Sequence, residues 1–147
     1  MSPEQRADQA AALAANQAFY DAFAAGDMTR MAGIWAERAP VACAHPGAPL
    51  LVGRVVVLES WASILNASQR PDIMCFRAQA HLLDAVAFVT CYERLGGRRG
   101  ATLLATNVFA REDGAWRIVH HHASPAQVVP PEKPPGKTPG TPGRVLH

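Results

Sequence analysis

No run in this chain approaches the roughly 18 consecutive apolar residues that a membrane-spanning helix needs, so no membrane partner is expected. The opening Met-Ser-Pro-Glu-Gln-Arg lacks the basic-then-apolar pattern of a secretory signal, and the expected location is the cytoplasm. Charge of one sign is scarce as well. The 14 Lys and Arg against 12 Asp and Glu leave a formal charge of +2, which gives no support for nucleic acid as a partner. The tight basic cluster, Arg98-Arg99, sits in a Gly-rich turn and reads as a solvated loop tip or, alternatively, a phosphate contact. Cysteines are few, odd in number and never in a Cys-x-x-Cys pair. Cys43, Cys75 and Cys91 therefore suggest neither a disulfide framework nor a zinc knuckle and read as buried small hydrophobes. No internal repeat is present. No nucleophile-elbow or other activating pattern surrounds any Ser or Cys, and no cofactor is expected.

What the chain does contain is enough for one domain. Of its 147 residues, 49% are hydrophobic, which suits a compact core once the Pro/Gly-rich end is set aside. The expected division is a domain over residues 1–126 and a tail over 127–147, whose prolines and glycines favour polyproline or disordered conformations. From Glu4 to Ala25 the chain is dense in alanine, with Leu13, Asn16, Phe19, Tyr20 and Phe23 at helical spacing. Gly26 stops that helix, and Asp27 can N-cap a second through Met28, Met31, Ile34 and Trp35. Val41–His45 and Leu50–Val52 read as short extended pieces, and Arg54 to about Ser68 as a third helix carrying Leu58, Trp61, Ile64 and Leu65 on one face. The period then changes to two. Turn signals divide the remainder into strands Ile73–Leu82, Val86–Leu95, Ala101–Arg111 and Ala115–Ala123, whose short connections allow only an antiparallel meander. Helices followed by a meander predict an α+β fold with a curved sheet wrapped around the helices.

The stretch from Thr102 to Ser124 reads as a β-hairpin around Glu112-Asp113-Gly114 that ends in three histidines. Two registers fit it. A three-residue loop pairs Arg111 with Ala115 and puts Asn107 on one face with His121 and Ala123. A two-residue Asp113-Gly114 turn pairs Arg111 with Trp116 and puts Asn107 with His120 and His122.

The helical corner Ala25-Gly26-Asp27, the His-Pro-Gly turn at His45, the Gly53-Arg54 helix start leading to Ser60-Trp61, and the run from Thr106-Asn107-Val108-Phe109 through Trp116 to Ser124 together resemble the SnoaL-like branch of the nuclear transport factor two-like superfamily. The ending Trp-x-x-Val-His-x-His is also similar to the association domain of calcium/calmodulin-dependent kinase II. The resemblance implies a cone of three helices against a strongly bent, mainly antiparallel sheet, a pocket at one end, and a homodimer through sheet faces. It implies no particular reaction, because isomerases, dehydratases, epoxide hydrolases and polyketide cyclases share the fold with non-catalytic proteins. The kinase resemblance favours the first register, since that family places polar pocket residues at the positions matching Asn107 and Ala123. Alanine at the second position removes one such group.

Under that register His121 is the pocket candidate, while His120 and His122 point to the opposite face as ligand-binding or interface residues. Glu93 reads either as an inward carboxylate with a raised pKa suited to general-base work or as a rim salt bridge with Arg94 or Arg117. Asn107 is expected to be buried and hydrogen-bonded. Tyr20 either points its hydroxyl into the cavity or packs in the core, His45 lies on the surface or at the pocket mouth, and Trp61 forms core or pocket wall. A metal site would need His120 and His122 plus His45 or Glu93, and none is expected. The leading expectation is a domain that binds a small, mostly apolar organic molecule through Tyr20, His45, Trp61, Glu93, Asn107 and the histidines. One alternative is an isomerase, cyclase or dehydratase in which Glu93 or a histidine such as His121 moves a proton and Asn107 or Tyr20 steadies an oxyanion. The other is a non-catalytic association module.

Overall fold

The structure, a computed structural model, describes residues 1–97 and 100–131. Arg98-Arg99 and the tail from residue 132 lie outside the described residues. Helix α1 (Pro3–Ala25) begins one residue earlier than expected because Ser2 and Gln5 form a reciprocal capping box, with Pro3 in the first turn. Gly26, at φ 64°, ends it in the left-handed conformation that a side chain would disfavour. The Asp27 side chain then accepts the Arg30 amide and starts α2 (Met28–Ile34). Two short strands, β1 (Ala42–Ala44) and β2 (Leu51–Val52), precede α3 (Arg54–Leu65). That helix stops at Asn66, three residues short of the expected end. The meander follows as β3 (Ile73–Leu83), β4 (Val86–Leu95), β5 (Thr102–Glu112) and β6 (Ala115–Pro125).

The six strands form one sheet in the order β2-β1-β6-β5-β4-β3, antiparallel throughout except that β1 runs parallel to β6. The three helices pack on its inner face, so the fold is the expected α+β cone. Trp35, Trp61, Phe19, Phe109, Met31 and Ile118 are fully buried between the layers. Two side chains fix the end of α2 and the segment after it, one from α3 and one from the sheet. The Arg54 guanidinium donates to the carbonyls of Ala32, Trp35 and Ala36, and the Glu112 carboxylate accepts the amides of Glu37, Arg38 and Ala39 at 2.7–2.9 Å.

Neither expected register describes the whole hairpin. The turn is the two-residue one, with Asp113 and Gly114 at φ 52° and 76°, and Arg111 pairs with Trp116. Farther along, Phe109 pairs with Ile118 but Val108 pairs with His120, leaving Val119 as an extra residue. This bulge flips the rest of β6, so Asn107 pairs with His121. The face expected from the three-residue loop is thus reached by a different route. A second irregularity lies between Phe76 and Gln79 of β3, with Arg77 at φ 53°. Bulges of this kind raise local twist and bend the sheet around the helices.

Candidate functional site

Strand alternation turns Glu93 on β4, Asn107 on β5 and His121 on β6 inward, where α1 presents Asn16 and Tyr20. All five are buried. Their hydrogen bonds form a directed chain. Asn107 Nδ2 donates to Asn16 Oδ1 (2.8 Å) and to Tyr20 Oη (3.1 Å), and Tyr20 Oη donates to Glu93 Oε2 (2.5 Å). Asn107 Oδ1 is left as an acceptor and faces His121 Nδ1 at 2.5 Å. His121 therefore carries its proton on Nδ1 and presents Nε2 as a bare lone pair, 3.9 Å from Glu93 Oε2. Cys91 Sγ lies 3.3 Å from Tyr20 Oη, and Asn16 Nδ2 donates to Cys75 Sγ at 3.6 Å. The cysteines are thus more than apolar filler: two of the three belong to this cluster, and Cys75 is only half-buried.

Burial sets the electrostatics. It pushes the Glu93 carboxyl up to about 7, against a smaller opposing effect of the Tyr20 hydrogen bond. Burial, and then the nearby His45, His120 and His122, pulls His121 down to about 3, so its imidazole is neutral. The Tyr20 phenol is raised by burial and by Glu93 and stays protonated. Cys43, pushed up to about 12 by burial and Glu93, stays a thiol. Near neutral pH the cluster thus holds one group that readily gains or loses a proton, Glu93, beside one neutral acceptor, His121 Nε2.

The walls are aromatic. Trp61 on α3 meets Phe19 and Phe23 edge-on at 5.3 Å and lies 5.8 Å from the His121 ring, all between ring centroids. Its buried Nε1 finds no partner among the described residues. His45, just after β1, is half-buried against Trp61, with Nε2 2.7 Å from the Ser60 hydroxyl. Burial lowers its pKa. Tyr20, Trp61 and Phe109 are at most 2% exposed, so the interior beside the cluster is filled by side chains.

These placements sort the expected residues. Tyr20, Glu93, Asn107 and His121 come together inside, with Trp61 as wall and His45 at the edge. Glu93 makes no rim salt bridge with Arg94 or Arg117. Asn107 spends both N–H groups and its oxygen within the protein, and Tyr20 spends its O–H on Glu93, so neither has a free donor for an oxyanion. His120 is half-buried and His122 exposed on the outer sheet face, away from His45 and Glu93. Among the described residues no three potential ligands gather around a metal position. Asn16 was not singled out as a site residue in the sequence; its signal is a lone amide on an otherwise bulky, apolar helix stripe.

Comparison with known proteins agrees with this architecture. The SnoaL-like domain family matches residues 12–128. The F-box protein SKIP8 of Arabidopsis thaliana is 31% identical over 121 residues, which is 82% of this chain and 52% of that protein, so the chain spans about half the length of this curated relative. A crystal structure of a proposed dehydratase of the NTF2-like family from Streptomyces avermitilis is 33% identical, covers 86% of this chain and 100% of its own, and superposes with a TM-score of 0.76. A proposed calcium/calmodulin-dependent protein kinase type II association domain from Thiobacillus denitrificans is 36% identical over 78% of this chain and 94% of its own, with a TM-score of 0.68. With the cone, its inward polar strand residues and the match over nearly the whole folded region, the chain belongs to the SnoaL-like family of the nuclear transport factor two-like fold.

Proposed function

We propose that this domain binds a small, mostly apolar organic molecule carrying a hydroxyl group, and that Glu93 exchanges a proton with it in an isomerase- or dehydratase-type step. The observation that carries this reading is the buried Glu93 carboxyl, held near a pKa of about 7 beside the lone pair of His121 Nε2. His121, with a pKa of about 3, is too weak a base to carry the proton and instead accepts a hydrogen bond from the ligand hydroxyl. Asn107, Asn16 and Tyr20 hold the two groups in place, and Trp61 offers an unspent N–H at the wall. Similarity to the proposed Streptomyces dehydratase supports the same class of chemistry. Because the interior is filled, a ligand enters where the half-buried His45 side chain moves aside at the edge of the cluster, with Trp61 remaining as the wall.

Infrared difference spectra across pH test the chemistry. A protonated-carboxyl band that titrates near 7 and vanishes in Glu93→Gln is expected; a carboxyl titrating near the ordinary 4.5 would overturn the reading. Native mass spectrometry of the purified chain tests binding, with a retained small molecule expected in the wild type.

A second observation bears on assembly. The outer sheet face exposes Leu104 and Met74, with Phe76 and Tyr92 stacked at 5.4 Å between them and Arg94 over the Phe76 ring. It suits a face-to-face homodimer, as the likeness to the association domain also suggests. Sedimentation at micromolar concentration should give twice the 15.7 kDa chain mass, and a monomer would refute the dimer.

A further inference from the structure

Nothing in the spacing of the cysteines along the chain pairs them, but the sheet does. Cys75 on β3 stands opposite Glu93 on β4, and Cys91 lies two residues before Glu93 on the same inner face, so the two cysteines are diagonal neighbours on adjacent strands. One amide holds both sulfurs. Asn16 Nδ2 donates to Cys75 Sγ at 3.6 Å and also reaches Cys91, while Asn107 Nδ2, bound to Asn16 Oδ1, comes within 4.0 Å of Cys91 Sγ. The thiols also hydrogen-bond each other. That contact raises Cys75 and lowers Cys91, which makes Cys75 the donor and Cys91 the acceptor.

Diagonal partners in a regular ladder have Cα atoms roughly 7–8 Å apart, whereas a disulfide spans roughly 4.4–6.8 Å. Joining the pair therefore takes a small backbone shift, and the local backbone allows one. Between Phe76 and Gln79 the register slips, so that Arg77 and Ala78 together face Cys91, with Arg77 at φ 53°. β3 is also the edge of the sheet, with no ladder on its far side to resist movement. Access separates the two sulfurs. Cys91 is 2% exposed and Cys75 half-buried, so a small oxidant meets Cys75 first. When Cys91 ionises, one proton remains in the hydrogen bond between the sulfurs, and its transfer to Cys91 leaves the thiolate on the reachable Cys75.

We propose that Cys75 and Cys91 are an oxidation site, which hydrogen peroxide converts to a reversible disulfide within the chain. The Cys75 thiolate attacks one peroxide oxygen: the S–O bond forms, the O–O bond breaks, and the departing hydroxide takes a proton from solvent and leaves as water. Cys91 Sγ then attacks Cys75 Sγ, forming the S–S bond and breaking S–O, and its own proton leaves with that hydroxide as a second water. Two thiols thus lose two electrons while one peroxide is reduced to two waters. The inference uses neither the homodimer nor the proton chemistry of Glu93.

The test treats the full, reduced chain with hydrogen peroxide and follows its intact mass and its cysteine peptides. The expected product is lighter by about 2 Da, the two hydrogens lost, carries a Cys75–Cys91 cross-link within one chain, and regains its starting mass with dithiothreitol. Cys43, buried and pushed up to about 12, is the internal control and should oxidise about tenfold more slowly or less. Cys91→Ser removes the second sulfur, so Cys75 should stop at the sulfenic acid and be trapped by dimedone. Hydrogen exchange on the wild type reads the same bond without a variant: the Arg77 and Ala78 amides should slow once it forms. A chain that gains oxygen at Cys75 without linking to Cys91, links Cys75 to another chain, oxidises all three cysteines at one rate, or leaves both thiols unchanged overturns the proposal.

Discussion

Glu93 and His121 lie 3.9 Å apart, yet burial of the two gives stability opposite slopes against pH. The Glu93 pKa is raised on folding from 4.5 to about 7, so between those values the folded state holds the extra proton and stability falls as pH rises. The full effect corresponds to about 3 kcal/mol. The His121 pKa is lowered from 6.5 to about 3, so the unfolded state holds the extra proton there and stability rises with pH until 6.5. The two slopes oppose each other between 4.5 and 6.5. Urea unfolding of Glu93→Gln should therefore show stability rising with pH in that window more steeply than in the wild type. His121→Gln should show the reverse tilt. Parallel curves for all three proteins would mean that neither group is shifted by folding. Tyr20→Phe probes the link between them: its hydroxyl donates to Glu93 and opposes the effect of burial, so its loss should raise the Glu93 titration above about 7, read from the carboxyl carbon by NMR.

At the scale of the elements, one carboxylate closes the gap between the helical layer and the sheet. Glu112, the last residue of β5, accepts three consecutive amides after α2, and those bonds hold its pKa below the usual carboxylate range. Its contribution is present above the unfolded pKa and lost as pH falls through the folded one. Glu112→Gln should speed hydrogen exchange at the amides of Glu37, Arg38 and Ala39 while leaving β3 and β4 amides unchanged. Uniform acceleration would instead indicate global destabilisation. Elements like these were legible in the chain where a local signal existed. The Gly26-Asp27 corner, the α1 stripe and the four long strands all carry caps or clear periodicity. The parallel pairing of β1 with β6 had no such signal, since a three-residue strand does not encode its partner. The register of the hairpin was ambiguous for a related reason: Glu-Asp-Gly admits two loop lengths, and nothing in Val-His-His-His marks Val119 as the extra residue. The site was legible to the same extent. Glu93 and Asn107 were visible as polar residues on apolar strand faces, whereas the hydrogen-bond chain through Asn16 depends on how α1 lies across the sheet.

Viewed whole, the molecule has one sheet with two unlike faces. The inner face is enclosed by the helices; the outer face leaves Leu104 45% and Met74 52% exposed beside the partly buried Phe76, Tyr92 and His120. Leu104 lies on β5 beside His120 and His122, opposite Ser124 on β6 and Tyr92 on β4, so a face-to-face partner must cover it. Its side chain points away from the Tyr20–Glu93–Asn107–His121 cluster, which lets one substitution separate assembly from site chemistry. Leu104→Arg places a charge on each side of a two-fold contact, where it meets its own copy and must be desolvated. We expect this variant to sediment at 15.7 kDa where the wild type sediments at twice that mass, and to keep the wild-type carboxyl titration near 7. A Leu104→Arg chain that still dimerises would move the interface off this face. A variant that turned monomeric and also lost the Glu93 titration would show that the interior site depends on the partner copy, tying the two faces of the sheet into one unit.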